Sequence, residues 1–402
     1  MKIVGIVCEY NPFHKGHEHQ LSLLREKGAE TVVCAMSGNY TQRGELAVAD
    51  KYTRAEAALP CGADLVGELP FPYSSLSAEG FCRAGVHILS SLGCDTLSFG
   101  SESGDTQLLR RAAEIVNSED FIEAYASAQK NTGSAKAYFD LLSERLEQDT
   151  ALLSNDILGI SYLSAILKEH AKMDVFPVKR EGAAYHDIAL GDVYPSATAL
   201  RKAIKESENG FFSLSDKHVP TPSLETLRDA QIHKSAPVFK ENIVSDIVSF
   251  FRLMSPQEIV SRTVHRSGGG THVACDGCGI VERLCACART ADELEGMLAD
   301  AYNSRYTDAR INRVLLFSLI GVSDVFEKKL PEYATLLAAS ERGRKHLSEI
   351  RKGGRYPIVT KPADAPEGVL TDLIRFSDSL YASAMPGDGR LDRFMKMHPY
   401  MG

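Results

Sequence analysis

The chain has 402 residues, more than one average domain needs, so two domains are expected. Apolar residues make up 44% and charged residues 24%, which excludes a disordered chain and fits one that buries a proper core. A formal charge of −8 excludes non-specific coating of nucleic acid, while a local basic patch for RNA stays open.

Lys2 precedes only a few apolar residues before Glu9, and no small-residue cleavage site follows, so no secretory signal is read. The longest apolar run, VLLFSLIGV at 314–322, is roughly half of what a bilayer span needs. A soluble, cytoplasmic protein without membrane contact is expected. Of nine cysteines, Cys8, Cys34, Cys61, Cys82 and Cys94 sit in apolar or helical contexts, as reduced thiols acting as small hydrophobes do.

In chain order, short runs rich in β-branched residues occur at 2–8, 31–36, 63–68, 94–100 and 173–178. Helical periodicity fills 16–27, 51–59, 78–92 and 156–170 between them, which predicts βαβ units and a parallel sheet. About three helical segments between 105 and 150 form a helical insertion. After YPSATALRKAI the strand signal stops, and helices are predicted at 223–228, 242–253, 291–304, 308–320, 331–338, 343–352 and 371–384. The fold class is therefore α/β for 1–205, followed by a mostly helical 206–402; no internal repeat is visible.

The first strand runs into GIVCEYNPFHKGH, with His14 and His17 three apart around Gly16. A strand, a loop and a helix starting there aim a helix dipole and backbone N–H groups at the strand's end, an anion site by construction. Asn11-Pro12 stops the strand, and Gly16 allows close approach to the backbone. The spacing favours phosphate; a metal site or a purely structural pair are the alternatives, and HExxH is absent. Neither a Walker A loop nor GxGxxG follows the strand. PSATALR adds a second anion surface, with Ser196 at a helix N-cap, Thr198 in the first turn and Arg201 on the next; a plain capped helix is the alternative.

These two elements resemble the HIGH-type nucleotidylyltransferase superfamily. The blocks SGNYTQRGELAVADKYTRAEAAL, GADLVGELPFPYSS, SNDILGISYL, VKREGAAYHD and SRYTDARINRVLL, together with the first loop, are similar to the bacterial tRNA(Met) cytidine acetate ligase family. The resemblance implies a Rossmann-like catalytic domain over 1–205 and a tRNA-binding role for 206–402. It also implies acetylation of the wobble cytidine of elongator tRNA(Met), with ATP and free acetate passing through an acetyl-adenylate. ATP contacts are implied for Val7, Cys8, Glu9, Tyr10, Asn11, Pro12, Phe13, His14, Lys15, Gly16, His17, Glu18, His19 and Gln20, and for Gly100, Asn155 and Arg180. The strand order usual for the fold, 3-2-1-4-5, sets the ends of strands one and four at the topological switch point, beside Gly100, with Arg180 after strand five on the same edge.

His14 and His17 are expected to stabilise charge on the phosphoryl oxygens. Mg²⁺ is expected as the counter-ion of ATP. No general base for the cytidine amine is legible. Arg43, Lys51 and Arg54 are read as contacts to acetate, phosphate or tRNA, or else as a solvated loop and helix. RGRKHLSEIRKGGR at 342–355, with Arg344 and Lys345, and the Arg305, Arg310 and Arg313 cluster are the basic patches for tRNA, or else solvated faces. Cys275, Cys278, Cys285 and Cys287 read as structural thiols before a zinc knuckle, because CxC on a helix is poor second-half geometry. The alternative activity is adenylyl transfer to a small phosphorylated metabolite.

Overall fold

A computed structural model describes residues 1–132, 134–146, 152–179, 195–276, 279–302, 306–354, 356–387, 390 and 392–402. The first half alternates as predicted: β1 (Ile3–Cys8), α1 (Lys15–Glu26), β2 (Thr31–Ser37), α2 (Lys51–Ala58), β3 (Leu65–Leu69), α3 (Ala78–Ser91) and β4 (Thr96–Ser101). The insertion is α4 (Thr106–Val116), α5 (Glu119–Thr132) and α6 (Ser134–Leu146), followed by α7 (Ser154–Lys168), β5 (Asp174–Lys179) and α8 (Ala197–Glu206). The remainder holds α9 (Thr221–Ile232), α10 (Val244–Leu253), α11 (Pro256–Arg266), α12 (Ile280–Thr290), α13 (Leu294–Ala301), α14 (Asp308–Ile320), β6 (Ala334–Ala339), α15 (Glu341–Gly353), β7 (Ile358–Val359), α16 (Val369–Ser383) and β8 (Tyr400–Met401).

β1 pairs in parallel with β2 on one side and with β4 on the other, and the sheet runs β5-β4-β1-β2-β3-β6. The order 3-2-1-4-5 is thus present, and the chain reverses direction of winding between β1 and β4, where a crevice must open at the carboxyl ends.

The helix expected at 331–338 is instead β6, which lies antiparallel to β3 with Leu65 opposite Ala339. All six of its residues are buried, and a short apolar run buried on every side has no period that separates strand from helix. β7 and β8 both pair with β6, so the second half contributes three short strands rather than helices alone. One hydrophobic core runs from Val4 to Phe394 and joins both halves. A satellite core gathers Leu200, Ile204, Phe211, Leu224 and Leu227 over Val48 and Ala49, fastening α8 and α9 to the loop before α2. The unpredicted α11 carried a legible signal: Ser255 and Glu258 form a capping box, with Pro256 at the first helical position. No helix among the described residues is long and apolar enough to cross a membrane.

Candidate active site

His14 ends the loop after β1 and caps α1. Its Nδ1 accepts from Gly16 N at 3.1 Å, while His17 Nδ1 accepts from His14 N at 3.3 Å. With both Nδ1 atoms acting as acceptors, the proton of each neutral ring sits on Nε2. The rings stack at 3.7 Å, and Tyr10 packs on His17 with centroids 4.8 Å apart. A Cβ on Gly16 would lie 3.0 Å from His14 Cε1, so a larger residue here would press on the first imidazole.

The amides of this turn are already committed. Lys15 N donates to His218 O at 3.0 Å, Gly16 N to the His14 ring, and His17 N to His14 O at 2.9 Å. The backbone N–H groups expected to face an anion here are thus spent on internal acceptors. The loop itself is pinned from three sides. Asn11 Oδ1 accepts from Val48 N at 2.8 Å, Arg201 Nη1 donates to Asn11 O at 3.0 Å, and Glu9 Oε1 accepts from Gln42 N at 2.8 Å.

A cleft of about 440 Å³ opens at this end of β1 and β4. Of the expected ATP contacts, Val7, Cys8, Glu9, Tyr10, Asn11, His14, Gly16, His17, His19, Gln20, Gly100 and Asn155 line it. Pro12, Phe13, Lys15 and Glu18 do not: Phe13 is buried in the core, and Lys15 pairs with Glu18 at 2.8 Å on the helix surface. Ser196 caps α8 as predicted, accepting from Ala199 N at 3.1 Å, but the cleft meets its neighbours Pro195 and Ala197, not Ser196 or Thr198. Arg201 also holds Thr198 Oγ1 at 3.2 Å, so the segment braces the histidine loop. Arg180 lies outside the described residues.

Sequence reading missed the apolar wall of the cleft, formed by Phe81, Phe99, Leu158, Tyr162 and Val178. These residues look like ordinary core in sequence and are mostly buried, and only the fold gathers them around the crevice between α3, α7 and the sheet. Burial pushes the Cys8 thiol and the Tyr10 phenol well up, each raised further by Cys34, so neither supplies an anion at neutral pH.

Arg43 lines the cleft and is exposed, as a ligand contact requires. The paired expectation for Lys51 and Arg54 is overturned. Lys51 Nζ is buried against Glu68 Oε1 and Asp378 Oδ2, each at 2.8 Å. Arg54, 1% exposed, spends its guanidinium on the carbonyls of Ala49, Ser37, Gly38 and Glu9. Neither can reach acetate or RNA. Arg313 is likewise buried and donates to Gln42 O at 3.3 Å, while Arg310 Nε donates to Cys275 O at 2.9 Å. Gly44 explains this docking: at φ +74 it lies against α14, where a Cβ would come within 2.6 Å of Arg313 N. Arg305 lies outside the described residues. Arg344 and Lys345 are exposed on α15. Cys285 is buried in α12, Cys275 and Cys287 are half-buried, and Cys278 lies outside the described residues.

Residues 1–388 match the family model described as HIGH Nucleotidyl Transferase. The tRNA(Met) cytidine acetate ligase of Syntrophotalea carbinolica is 36% identical over 90% of this chain and 85% of its own length. That of Caldanaerobacter subterraneus is 33% identical over 95% and 94%. Among solved structures, apo Thermotoga maritima TmcAL superposes with a TM-score of 0.88 at 30% identity, covering 100% of this chain and 99% of that one. The same protein bound with alpha-thio ATP superposes at 0.87, with the same identity and coverage.

Proposed function

This chain belongs to the HIGH nucleotidyl transferase family and, within it, to the tRNA(Met) cytidine acetate ligases, and from that premise we propose that its cleft joins acetate to ATP and passes the acetyl group to the wobble cytidine of elongator tRNA(Met). The protein is a ligase that acetylates a tRNA cytidine at the expense of ATP. In the first step a carboxylate oxygen of acetate attacks the α-phosphorus. The bond to the bridging oxygen breaks and pyrophosphate leaves with its electron pair. In the second step the cytidine N4 attacks the acetyl carbon of the mixed anhydride, AMP departs, and N4 loses a proton.

Negative charge grows on the phosphoryl oxygens during the first step, and donors fixed beforehand stabilise it without reorganising. The stacked His14–His17 pair, with both Nδ1 atoms held by backbone N–H groups, is the observation that carries this reading. Mg²⁺ accompanies the ATP phosphates as their counter-ion. The apolar wall formed by Phe81, Phe99 and Tyr162 suits a purine face and keeps water from the anhydride.

The test supplies labelled acetate, ATP and elongator tRNA(Met) and measures N4-acetylcytidine. His14→Ala or His17→Ala is expected to lower acetyl-adenylate formation by at least about a hundredfold, the scale of a lost transition-state donor, with tRNA affinity near wild type. Wild-type rates in both variants would overturn the assigned role.

A further inference from the structure

α7 has no cap of its own. Its N-cap residue is Leu153, whose side chain cannot accept a hydrogen bond. The acceptor comes from another element: Glu102, just past β4, takes Asn155 N at 3.1 Å and Asp156 N at 2.9 Å on Oε2. The same carboxylate takes the Asn155 side-chain amide, Nδ2 to Oε1, at 2.5 Å. In return Asp156, 2% exposed, accepts from Ser101 Oγ at 2.5 Å and from Ser103 Oγ at 3.1 Å and Ser103 N at 3.2 Å. Each carboxylate thus reaches into the other's backbone, clasping the end of β4 to the first turn of α7.

The clasp stands at the cleft. Gly100, one residue before Ser101, lines one side, and Asn155 lines the other. A charge-assisted bond to Nδ2 fixes the plane of the Asn155 amide and which of its ends faces away from Glu102. We propose that Glu102 is a positioning residue for the nucleotide, holding the Asn155 amide and the first turn of α7 at the spacing from Gly100 that ATP requires. This rests on the cleft being the ATP site. Glu102 acts through Asn155 and the backbone and need not touch ATP.

A residue acting in this way changes nucleotide affinity more than turnover, and its effect depends on Asn155. The measurement is acetate-dependent exchange of pyrophosphate into ATP, together with thermal unfolding, on the full-length chain. Glu102→Ala is expected to raise KM for ATP roughly tenfold, the scale of one lost charge-assisted hydrogen bond, with kcat within about threefold. On an Asn155→Ala background the same change is expected to raise KM by less than about twofold, because the positioned group is gone. Glu102→Gln keeps the volume and one acceptor oxygen, and stands in if the alanine variant does not fold; it should show a smaller KM rise with the same dependence on Asn155. An unchanged KM, or an equal rise on both backgrounds, overturns the proposal and leaves Glu102 as a support of the fold. A wild-type protein that shows no exchange overturns the functional reading itself.

Discussion

Two parts of one sheet carry basic side chains just beyond their strands, and they are put to opposite uses. Past β1, His14 and His17 border a cleft, and Arg43 from the loop after β2 reaches the same cleft. Past β2 and β3, Lys51 and Arg54 are each 1% exposed and are consumed by internal partners. All are basic side chains; what covers them differs. Between β1 and β4 the connections diverge to opposite sides and leave a crevice. Past β2 and β3, α16 supplies Asp378 against Lys51, and Tyr40 Oη donates to Ser377 O at 2.8 Å. A cation at a strand's carboxyl end is therefore a ligand contact only where no later element covers it.

The covered side should fail by unfolding and the open side by losing activity. Lys51 ties two buried carboxylates, and removing it leaves both without their cation. Lys51→Ala is expected to cost roughly 3–5 kcal/mol, the scale for breaking a buried pair, when unfolding is followed in denaturant. Catalysis per folded molecule should stay near wild type. A loss below about 1 kcal/mol would show that water or rearrangement compensates the cluster, and would break the contrast.

The same cluster predicts a pH dependence confined to the covered side. Burial raises the Asp378 carboxyl, Lys51 opposes this and Glu68 adds to it, and the result is pushed up to about 6. Burial alone would lower the Lys51 ammonium, but Asp378 and Glu68 outweigh it and hold it above its usual range. An acid whose pKa is higher folded than unfolded binds its proton more tightly in the native state. Its contribution to stability is full below about pH 4 and is lost as pH rises through about 6. The loss over that window is on the order of 2–3 kcal/mol, and Asp378→Asn should flatten it relative to wild type. Identical pH profiles for the two proteins would place the titration elsewhere.

Most of what made the open side legible was local. The strand, the Asn-Pro stop, the two histidines and the Ser196 cap lie within short windows, and strand order followed from the βαβ alternation. What stayed hidden depends on contacts far apart in the chain. Lys51 meets Asp378 across 327 positions, Asn155 meets Glu102 across 53, and β6 meets β3 from the second half. The buried fate of Arg54 had no local mark, because its partners are backbone carbonyls that every sequence possesses.

Cations that nothing covers and no cleft receives form a third case, seen along α15. Gly343, His346 and Leu347 face inward; a Cβ on Gly343 would fall 1.9 Å from Asp64 O, and His346 Nε2 donates to Leu92 O at 2.8 Å. Arg342, Arg344 and Lys345 are left on the outside. Arg342 lies 3.4 Å from Asp64, and Arg344 donates to Gly402 O at 2.8 Å. If this face tracks the tRNA backbone, Lys345→Ala should weaken tRNA binding about two- to threefold and lower the slope of log affinity against log salt by about one. Acetyl-adenylate formation and thermal stability should not move, since Lys345 reaches neither the cleft nor the core. An unchanged salt slope would make this a solvated helix face. The tRNA backbone would then have to be met nearer the cleft mouth, where Arg43 stands exposed.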